Sequence, residues 1–327
     1  KKELLKEKSG EQGGKGKNAQ LEVETTVHNL QATLDHLKGR WEIQPEDIVW
    51  GKYLSQGANA VVHLCTIRGT TTCVGKKMKK HMKPGCQAYK DLFMEMDVLA
   101  SIPHHPNVVQ FLGACIKDVE NPFMFEEYVD GPTLEYYLQF RSGDPLPRRS
   151  IFGWSLDLLR ALDFLHSRNP IIIHRDVKPA NLILSKDLNI MKLMDFGMSK
   201  MVSKDERETS IHSGFTGTPL YMAPEVMLTT VGHYTEKADI YSASFVMWFI
   251  AVGKRPTPLT PEKIHERPST LLVRWSEFSD LLQCMWKHEA EERPSAKDCI
   301  LMLDKFKTKP DISKSASPKM QCACQIM

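Results

Sequence analysis

Hydrophobic and polar positions follow strand-like patterns in the first third of the chain. Two runs, Val61 to Ile67 and Thr71 to Met78, predict strands, and one helix is predicted from about Gln87 to Ser101. The segment from Trp50 to Met124 is therefore predicted to be a small lobe built mainly of sheet.

Beyond Gly131 the pattern becomes mostly helical. Apolar residues at helical spacing mark a buried helix that leads into the apolar strand Ile171 to Ile173. These residues are Leu156, Leu159, Ala161, Leu162, Phe164 and Leu165. The second lobe is predicted to extend to about Phe306, with Glu126 to Gly131 as the connector. The predicted fold class is α+β, with a small β-rich lobe followed by a larger, mostly helical lobe.

The N-terminal extension, residues 1–45, contains two patterns. Residues Lys1 to Lys17 are rich in Lys, Glu and Gly with few apolar anchors, so we expect disorder there. Residues 21–38 carry an apolar stripe at alternating spacings of four and three. Its members are Val23, Val27, Leu30, Leu34 and Leu37. Two interpretations stay open, a short coiled coil that mediates self-association and a helix that packs on the neighbouring domain.

Composition narrows the function classes. A chain of 327 residues with 42% hydrophobic content can bury a large core. With 43 basic and 40 acidic residues, the net charge of +3 gives no reason to expect a nucleic-acid partner. The eight cysteines form no CxxC pair, which indicates a reducing, cytoplasmic setting. No apolar stretch approaches the roughly 20 residues that span a bilayer.

Two runs carry the residue types that phosphoryl transfer requires. This reaction needs metal-held phosphates, a carboxylate near the attacking hydroxyl and a cation on the phosphates. The run HRDVKPAN, at positions 174–181, places a carboxylate, an ammonium and an amide on one loop after an apolar strand. The groups belong to Asp176, Lys178 and Asn181. Asp195-Phe196-Gly197 follows, and the order and spacing of the two runs are far more specific than either run alone.

These runs resemble the motifs of the protein kinase family, and the resemblance covers about Trp41 to Phe306. It implies the bilobal protein kinase fold, with ATP and Mg²⁺ as cofactors. The implied kinase domain is 46–306, with an N-lobe at 46–126, a hinge at 127–131 and a C-lobe at 132–306, followed by a tail at 307–327.

The resemblance also implies roles for individual residues. Asp176 matches the base that orients the substrate hydroxyl and accepts its proton, and Lys178 matches the residue that neutralises the transferred phosphoryl group. Asn181 and Asp195 match the two Mg²⁺ ligands. Two further residues match positions that support the site or a substrate preference. Thr218 should contact the catalytic loop, as in serine/threonine kinases, and Asp239 should anchor the backbone of that loop.

The lysine that anchors the ATP phosphates matches the family's strand in two registers, at Lys76 or at Lys77. Lys76 is favoured because the second residue after it is the apolar Met78, as a buried strand requires, whereas Lys77 is followed at that spacing by Lys79. The expected partner of the lysine is Glu95 on the predicted helix. Farther along the chain, an ion pair is expected between Glu225 and Arg293.

The glycine-rich loop departs furthest from the family pattern. Positions 54–62 read LSQGANAVV and keep one of three glycines, Gly57, so we expect weakened nucleotide binding. The residues matched to the nucleotide site are Leu54, Ser55, Gln56, Gly57, Ala58, Asn59, Ala60, Val62, Glu127, Val129 and Ile183. Before the hinge stands Glu126, and a carboxylate at this gatekeeper position is unusual for the family.

The implied function is an ATP-dependent protein serine/threonine kinase that acts on Ser and Thr of protein substrates. The sequence resembles the tyrosine-kinase-like group, which includes Raf and mixed-lineage kinases, at 41–43 and at His105 to Cys115. Arg175 beside Asp176 implies regulation by phosphorylation of the activation segment, by an upstream kinase or by autophosphorylation.

Two alternatives to an active kinase stay open. The degraded glycine loop and Glu126 favour a pseudokinase that binds partners without transferring phosphate. A membrane-tethered scaffold is the other, because Cys324 to Met327 fit a C-a-a-X prenylation box that would attach the protein through Cys324.

Overall fold

The structure is a computed structural model. It describes residues 31–57, 60–79, 86–118, 120–141, 145–203, 212–213, 217–228, 231–232, 235–257 and 266–307. The described residues fall into two compact units. The first comprises residues up to Val129 together with Asp195–Ser199, and the second comprises Asp130–Met194 and residues from Lys200 onward.

The first unit is built on an antiparallel sheet of five strands in the order β1-β2-β3-β5-β4. The strands are β1 (Ile48–Gln56), β2 (Ala60–Ile67), β3 (Thr71–Met78), β4 (Phe111–Cys115) and β5 (Phe123–Glu127). The predicted strand at Thr71 to Met78 has the bounds expected, and the one predicted at Val61 to Ile67 begins one residue earlier.

The two faces of this sheet differ in character, because successive side chains of a strand point to opposite faces. One face carries the core of the unit, a cluster of Ile43, Cys65, Ile67, Cys73, Cys115 and Phe125. On β3, Lys76 lies directly opposite Met124 of β5, and Val74 lies opposite Glu126. Lys76 and Glu126 therefore project from the same face, away from the cysteine-containing core.

Two helices complete the described part of the first unit. The described part of α1 covers residues 31–37, and α2 covers Gln87–Ser101, the bounds predicted from the sequence. The helix ends where Ile102 takes an extended conformation before Pro103, and a residue before proline is disfavoured in the helical region. One stripe of α2 is buried, and Glu95 belongs to that stripe.

The second unit is mainly helical. Its helices are α3 (Leu134–Phe140), α4 (Arg148–His166), α5 (Pro224–Leu228), α6 (Lys237–Val252), α7 (Ser276–Met285) and α8 (Ala296–Lys307). Its strand pairs are β6 (Ile171–Ile173) with β9 (Lys200–Val202), β7 (Leu182–Leu184) with β8 (Met191–Leu193), and β10 (His212–Ser213) with β11 (Val231–Gly232). Every residue of α6 from Ala238 to Ile250 is buried, so this helix is the centre of the unit. A sheet-based unit and a larger helical unit confirm the predicted α+β class.

Several predictions concern residues outside the described ranges. They are the disorder at Lys1 to Lys17, most of the apolar stripe at 21–38, loop residues Ala58 and Asn59, most of the activation segment, and the tail with Cys324. At the described end of the stripe, Leu37 is fully buried, as the packing interpretation requires of this end. Self-association stays a prediction. Among the described helices, none is both long and apolar enough to cross a bilayer.

Candidate active site

Lys76 forms the centre of a charged cluster in the first unit. Its Nζ lies 2.7 and 2.6 Å from the two carboxylate oxygens of Glu95, and 3.8 Å from Oδ1 of Asp195. Burial alone would lower the pKa of Lys76, but the carboxylates of Glu95, Asp195 and Glu126 raise it above its ordinary value. Lys76 is therefore a fixed positive charge at this site.

Lys77 has a different environment, because it projects to the opposite face of β3. Its Nζ lies over the ring of Trp50, 4.8 Å from the ring centroid. Of the two lysines that the sequence left open, Lys76 is the one that contacts Glu95. The adjacent Gly75 allows close packing on the core face, since a Cβ there would lie 2.6 Å from Sγ of Cys65.

Glu126 is a third carboxyl group beside the same ammonium. Its Oε1 is buried and has no hydrogen-bond partner within the part of the chain that the structure describes. Burial raises the pKa of Glu126 to about 8, the charge of Glu95 adds to this shift, and Lys76 opposes it. Glu126 is therefore mainly a neutral carboxylic acid at pH 7, which explains how a carboxyl group is accommodated at this position.

The protonation of Glu126 predicts a pH-dependent effect of Glu126→Gln on stability. In the unfolded chain Glu126 releases its proton above its ordinary pKa of 4.5, whereas in the folded protein it keeps the proton up to about pH 8. The free energy of unfolding therefore falls as pH rises from about 4.5 to about 8. An amide carries no such proton. The variant's gain in free energy of unfolding over wild type should thus grow by up to about 1.4 kcal/mol per pH unit. Urea unfolding of both proteins at several pH values measures this, and a gain that does not change with pH would show that Glu126 is ionised in the folded state.

The loop at 174–181 in the second unit is anchored by Asp239 of α6. The Asp239 carboxylate accepts hydrogen bonds from the backbone N–H groups of His174 and Arg175, each at 2.8 Å, which confirms the predicted anchoring. Burial alone would raise the pKa of the Asp239 carboxyl group. The hydrogen bond and charge of His166, together with His174, lower this pKa below its ordinary value. His166 Nε2 lies 2.9 Å from Oδ2 of Asp239. Sequence reasoning missed His166, since nothing local links it to a residue 73 positions away.

Asp176 is held by three side chains. Lys178 Nζ lies 2.6 Å from its Oδ2, and Asn181 Nδ2 donates to the same oxygen at 2.9 Å. The hydroxyl of Thr218 donates to Oδ1 at 2.9 Å and accepts from Lys178 Nζ at 2.9 Å. The predicted contact of Thr218 with the loop at 174–181 is confirmed. Because Asp176 is only 9% exposed, these contacts fix the direction of its carboxylate.

Backbone geometry brings Thr218 to this loop. Gly217 has a φ of +116°, a conformation that favours glycine, and a Cβ there would lie 2.7 Å from the carbonyl oxygen of Arg175. Arg175 itself has a φ of +67°, and Asp195 has a φ of +65°. Non-glycine residues in this region are uncommon and are often held there by a functional site.

Asp195 and Asn181, the two residues matched to Mg²⁺ ligands, each present an oxygen atom. Asp195 is half exposed, with its carboxylate turned toward Lys76. Asn181 uses its amide nitrogen for bonds to Asp176, which leaves the oxygen Oδ1 as the atom suited to a cation. No group of three or more His, Cys, Asp or Glu side chains within the described ranges could hold a metal by itself. Each of the two residues offers an oxygen donor of the kind that Mg²⁺ takes from proteins together with nucleotide phosphates and water.

The residues matched to nucleotide binding are divided between the units. Leu54 to Gly57 end β1 and begin the turn, which is closed by a hydrogen bond from Gly57 N–H to Ala60 O at 2.9 Å. Val62 lies opposite Lys76 in the sheet and so shares its face. Glu127, predicted as the first hinge residue, is the last residue of β5, and its N–H donates to Gln110 O at 2.8 Å. Val129 is the last residue of this stretch in the first unit. Ile183 lies on β7 of the second unit.

Arg293 is buried in the second unit and pairs with a carboxylate and with backbone carbonyl oxygens. Its Nη1 and Nη2 bind the two carboxylate oxygens of Glu225 at 2.7 and 2.8 Å, which confirms the predicted ion pair. The remaining N–H groups donate to the carbonyl oxygens of Lys287, Lys237 and His288. A buried guanidinium with all five donors paired is a structural element that fixes the start of α5, where Glu225 lies.

The structure thus brings the predicted site residues together in two groups. Lys76, Glu95 and Asp195 form one group in the first unit. Asp176, Lys178 and Asn181 form the other in the second unit. The first group joins residues that are distant in sequence, whereas the second lies on one loop. Together the two groups carry the charges that phosphate and a reacting hydroxyl require.

Comparison with known proteins defines the class. The protein kinase domain family matches residues 49–302, which is most of the chain, and the chain belongs to the protein kinase family. Serine/threonine-protein kinase VIK of Arabidopsis thaliana is 29% identical over 82% of this chain and 62% of its own length. Serine/threonine-protein kinase STY46 of the same plant is 28% identical over 81% and 45%. A seven transmembrane domain-containing tyrosine-protein kinase of Dictyostelium discoideum is 31% identical over 71% and 34%. The chain therefore spans less than two thirds of the length of each of these relatives.

Proposed function

We propose that this chain is an ATP-dependent protein serine/threonine kinase that transfers the γ-phosphate to Ser and Thr hydroxyls of protein substrates. The observation that carries the proposal is the arrangement around Asp176, whose carboxylate contacts Lys178, Asn181 and Thr218 at 2.6 to 2.9 Å. This arrangement places a proton acceptor beside a cation on one rigid loop.

Each group of residues has a distinct task in the proposed reaction. Asp176 would orient the attacking hydroxyl and accept its proton, and Lys178 would neutralise charge that develops on the transferred phosphoryl group. Asn181 and Asp195 would hold Mg²⁺, which supplies charge neutralisation at the phosphates when it is bound. Lys76, fixed by Glu95, would bind the nucleotide phosphates as a point charge.

The preference for Ser and Thr rests on two residues. Lys178 and Thr218 hydrogen-bond to each other and both contact Asp176, which is the pattern that the resemblance associates with serine/threonine kinases. Two of the relatives described above are named serine/threonine kinases and one a tyrosine kinase, so the names alone leave the hydroxyl open.

Phosphoamino-acid analysis tests this preference directly. A generic protein substrate phosphorylated by the full chain should contain phosphoserine and phosphothreonine and little phosphotyrosine. Thr218→Val removes the hydroxyl that joins Lys178 to Asp176 while it keeps the side chain's shape, so it should lower the transfer rate to Ser and Thr by about tenfold. Phosphotyrosine as the main product would contradict the preference.

A pseudokinase is the second candidate. The observation that favours it is the loop at 54–60, where Ser55 and Ala60 replace glycines that let backbone N–H groups approach phosphate. The complete set of charged residues in the two groups argues for catalysis, because a protein that only binds partners has no need of a fixed Asp176. Regulation through the activation segment, an upstream kinase and a membrane anchor at Cys324 remain predictions.

A further inference from the structure

The segment before the first strand contacts two elements of the first unit. Its described part consists of α1 and the extended residues 41–43, which lead toward β1. Its hydrogen bonds join it to β4 and to α2, the helix that carries Glu95.

Residues 41–43 are fixed to β4. The Ala114 N–H donates to Trp41 O at 2.8 Å, and the Ile43 N–H donates to Ala114 O at 2.8 Å. Gly113 has a φ of +145°, and a Cβ at this position would lie 2.5 Å from Trp41 O, so glycine is required for the approach. The side chain of Ile43 belongs to the core cluster. This end of the segment is therefore part of the folded unit.

A hydrogen bond between partly exposed side chains joins α1 to α2, and the neighbouring apolar side chain is buried. His36 Nδ1 lies 2.8 Å from Oδ1 of Asp97, with both side chains partly exposed. The next residue, Leu37, has no exposed surface. Trp41, just after α1, packs its ring 5.2 Å from that of Phe111 on β4.

Asp97 and Glu95 lie on nearly opposite sides of α2. Two helical residues that are two positions apart point about 200° from each other around the axis. Glu95 reaches Lys76 on one side of α2, and Asp97 reaches His36 on nearly the opposite side. The helix is thus held between the sheet and α1.

We propose that α1 is a positioning element for the active site, which holds α2 where Glu95 can pair with Lys76. His36 and Leu37 are positioning residues, since they act through α2 and touch neither Lys76 nor a substrate. The inference rests on the proposed function, because the pair of Lys76 and Glu95 affects activity only if Lys76 binds the nucleotide. Release of α1 from α2 would lower activity without any change in the site's own residues, so α1 offers a point of control.

The first experiment compares His36→Ala with Lys38→Ala in the full chain. Lys38 is exposed and pairs with Asp35 of the same segment, so it is a matched control. His36→Ala should lower kcat/KM for ATP by about threefold to tenfold, the scale of one lost hydrogen bond. It should also speed amide hydrogen exchange across α2, and Lys38→Ala should change neither. His36→Asn should keep most of the activity, because its amide nitrogen can replace Nδ1 as a donor to Asp97.

The second experiment separates positioning from a general loss of stability. In a Glu95→Gln background, His36→Ala should cause no further loss of kcat/KM if α1 acts through Glu95. Equal losses in both backgrounds would overturn the proposal, and so would unchanged α2 exchange in His36→Ala and Leu37→Ala. Exchange is measured without nucleotide. Faster α2 exchange in a chain that transfers no phosphate would therefore support the positioning role while it rejects the proposed kinase function.

Discussion

Asp176→Asn is expected to lower kcat by about 10²–10⁴-fold, the usual contribution of a positioned acid or base. Asparagine keeps the shape of the side chain, but its amide cannot accept the proton of a substrate hydroxyl. It also removes the charge that Lys178 contacts at 2.6 Å. The KM for ATP should change little, since Asp176 is assigned to the protein substrate.

Steady-state kinetics on the full chain measure this effect, with thermal unfolding as a check on folding. Asp187→Asn is a suitable control because Asp187 hydrogen-bonds with Ser185 and Asn189 in its own turn. The control should retain wild-type kcat. A variant at Asp176 that keeps more than about a tenth of wild-type kcat would show that this carboxylate is not the proton acceptor.

Lys76→Met is expected to lower kcat/KM for ATP by about 10²–10³-fold, the range seen when one stabilising charge is removed from a site. Methionine fills similar space but leaves Glu95 without its partner and the nucleotide phosphates without a cation. The same change at Lys77 should leave kcat/KM almost unchanged and reduce the free energy of unfolding by about 0.5–1 kcal/mol, because Lys77 contacts Trp50.

The two variants form a matched pair, since one substitution is placed at adjacent residues on opposite faces of one strand. Lys76→Arg is a third variant to measure. It keeps the positive charge that the buried Glu95 requires, so it should stay folded even if Lys76→Met does not. Kinetics and nucleotide titration measure the outcome. Full activity in Lys76→Met with none in Lys77→Met would assign the phosphate contact to Lys77.

The alternation of side chains explains why much of the first unit could be predicted. Thr71 to Met78 reads as a strand with Met78 and Lys76 on one face, and this pattern was sufficient to favour Lys76 over Lys77. The bounds of α2 could also be predicted from the sequence, because a helical apolar stripe and a following proline are both local signals. Resemblance to a family supplied the roles of the loop residues, which no local pattern contains.

Other features depend on contacts between distant parts of the chain. The neutral state of Glu126 follows from burial beside Glu95 and Lys76, and nothing in the sequence near position 126 indicates which groups surround it. The bond of His36 to Asp97 joins residues 61 positions apart. Sequence reasoning left the stripe that contains Leu37 open between self-association and packing for the same reason.

The most direct test of the proposed kinase activity is transfer of labelled γ-phosphate from ATP to a generic protein substrate, with Mg²⁺ present and nucleotide binding measured in parallel. The full chain should transfer phosphate, and Asp195→Asn should reduce transfer to background. Nucleotide binding by a wild-type chain that transfers no phosphate would contradict the account and identify the protein as a pseudokinase.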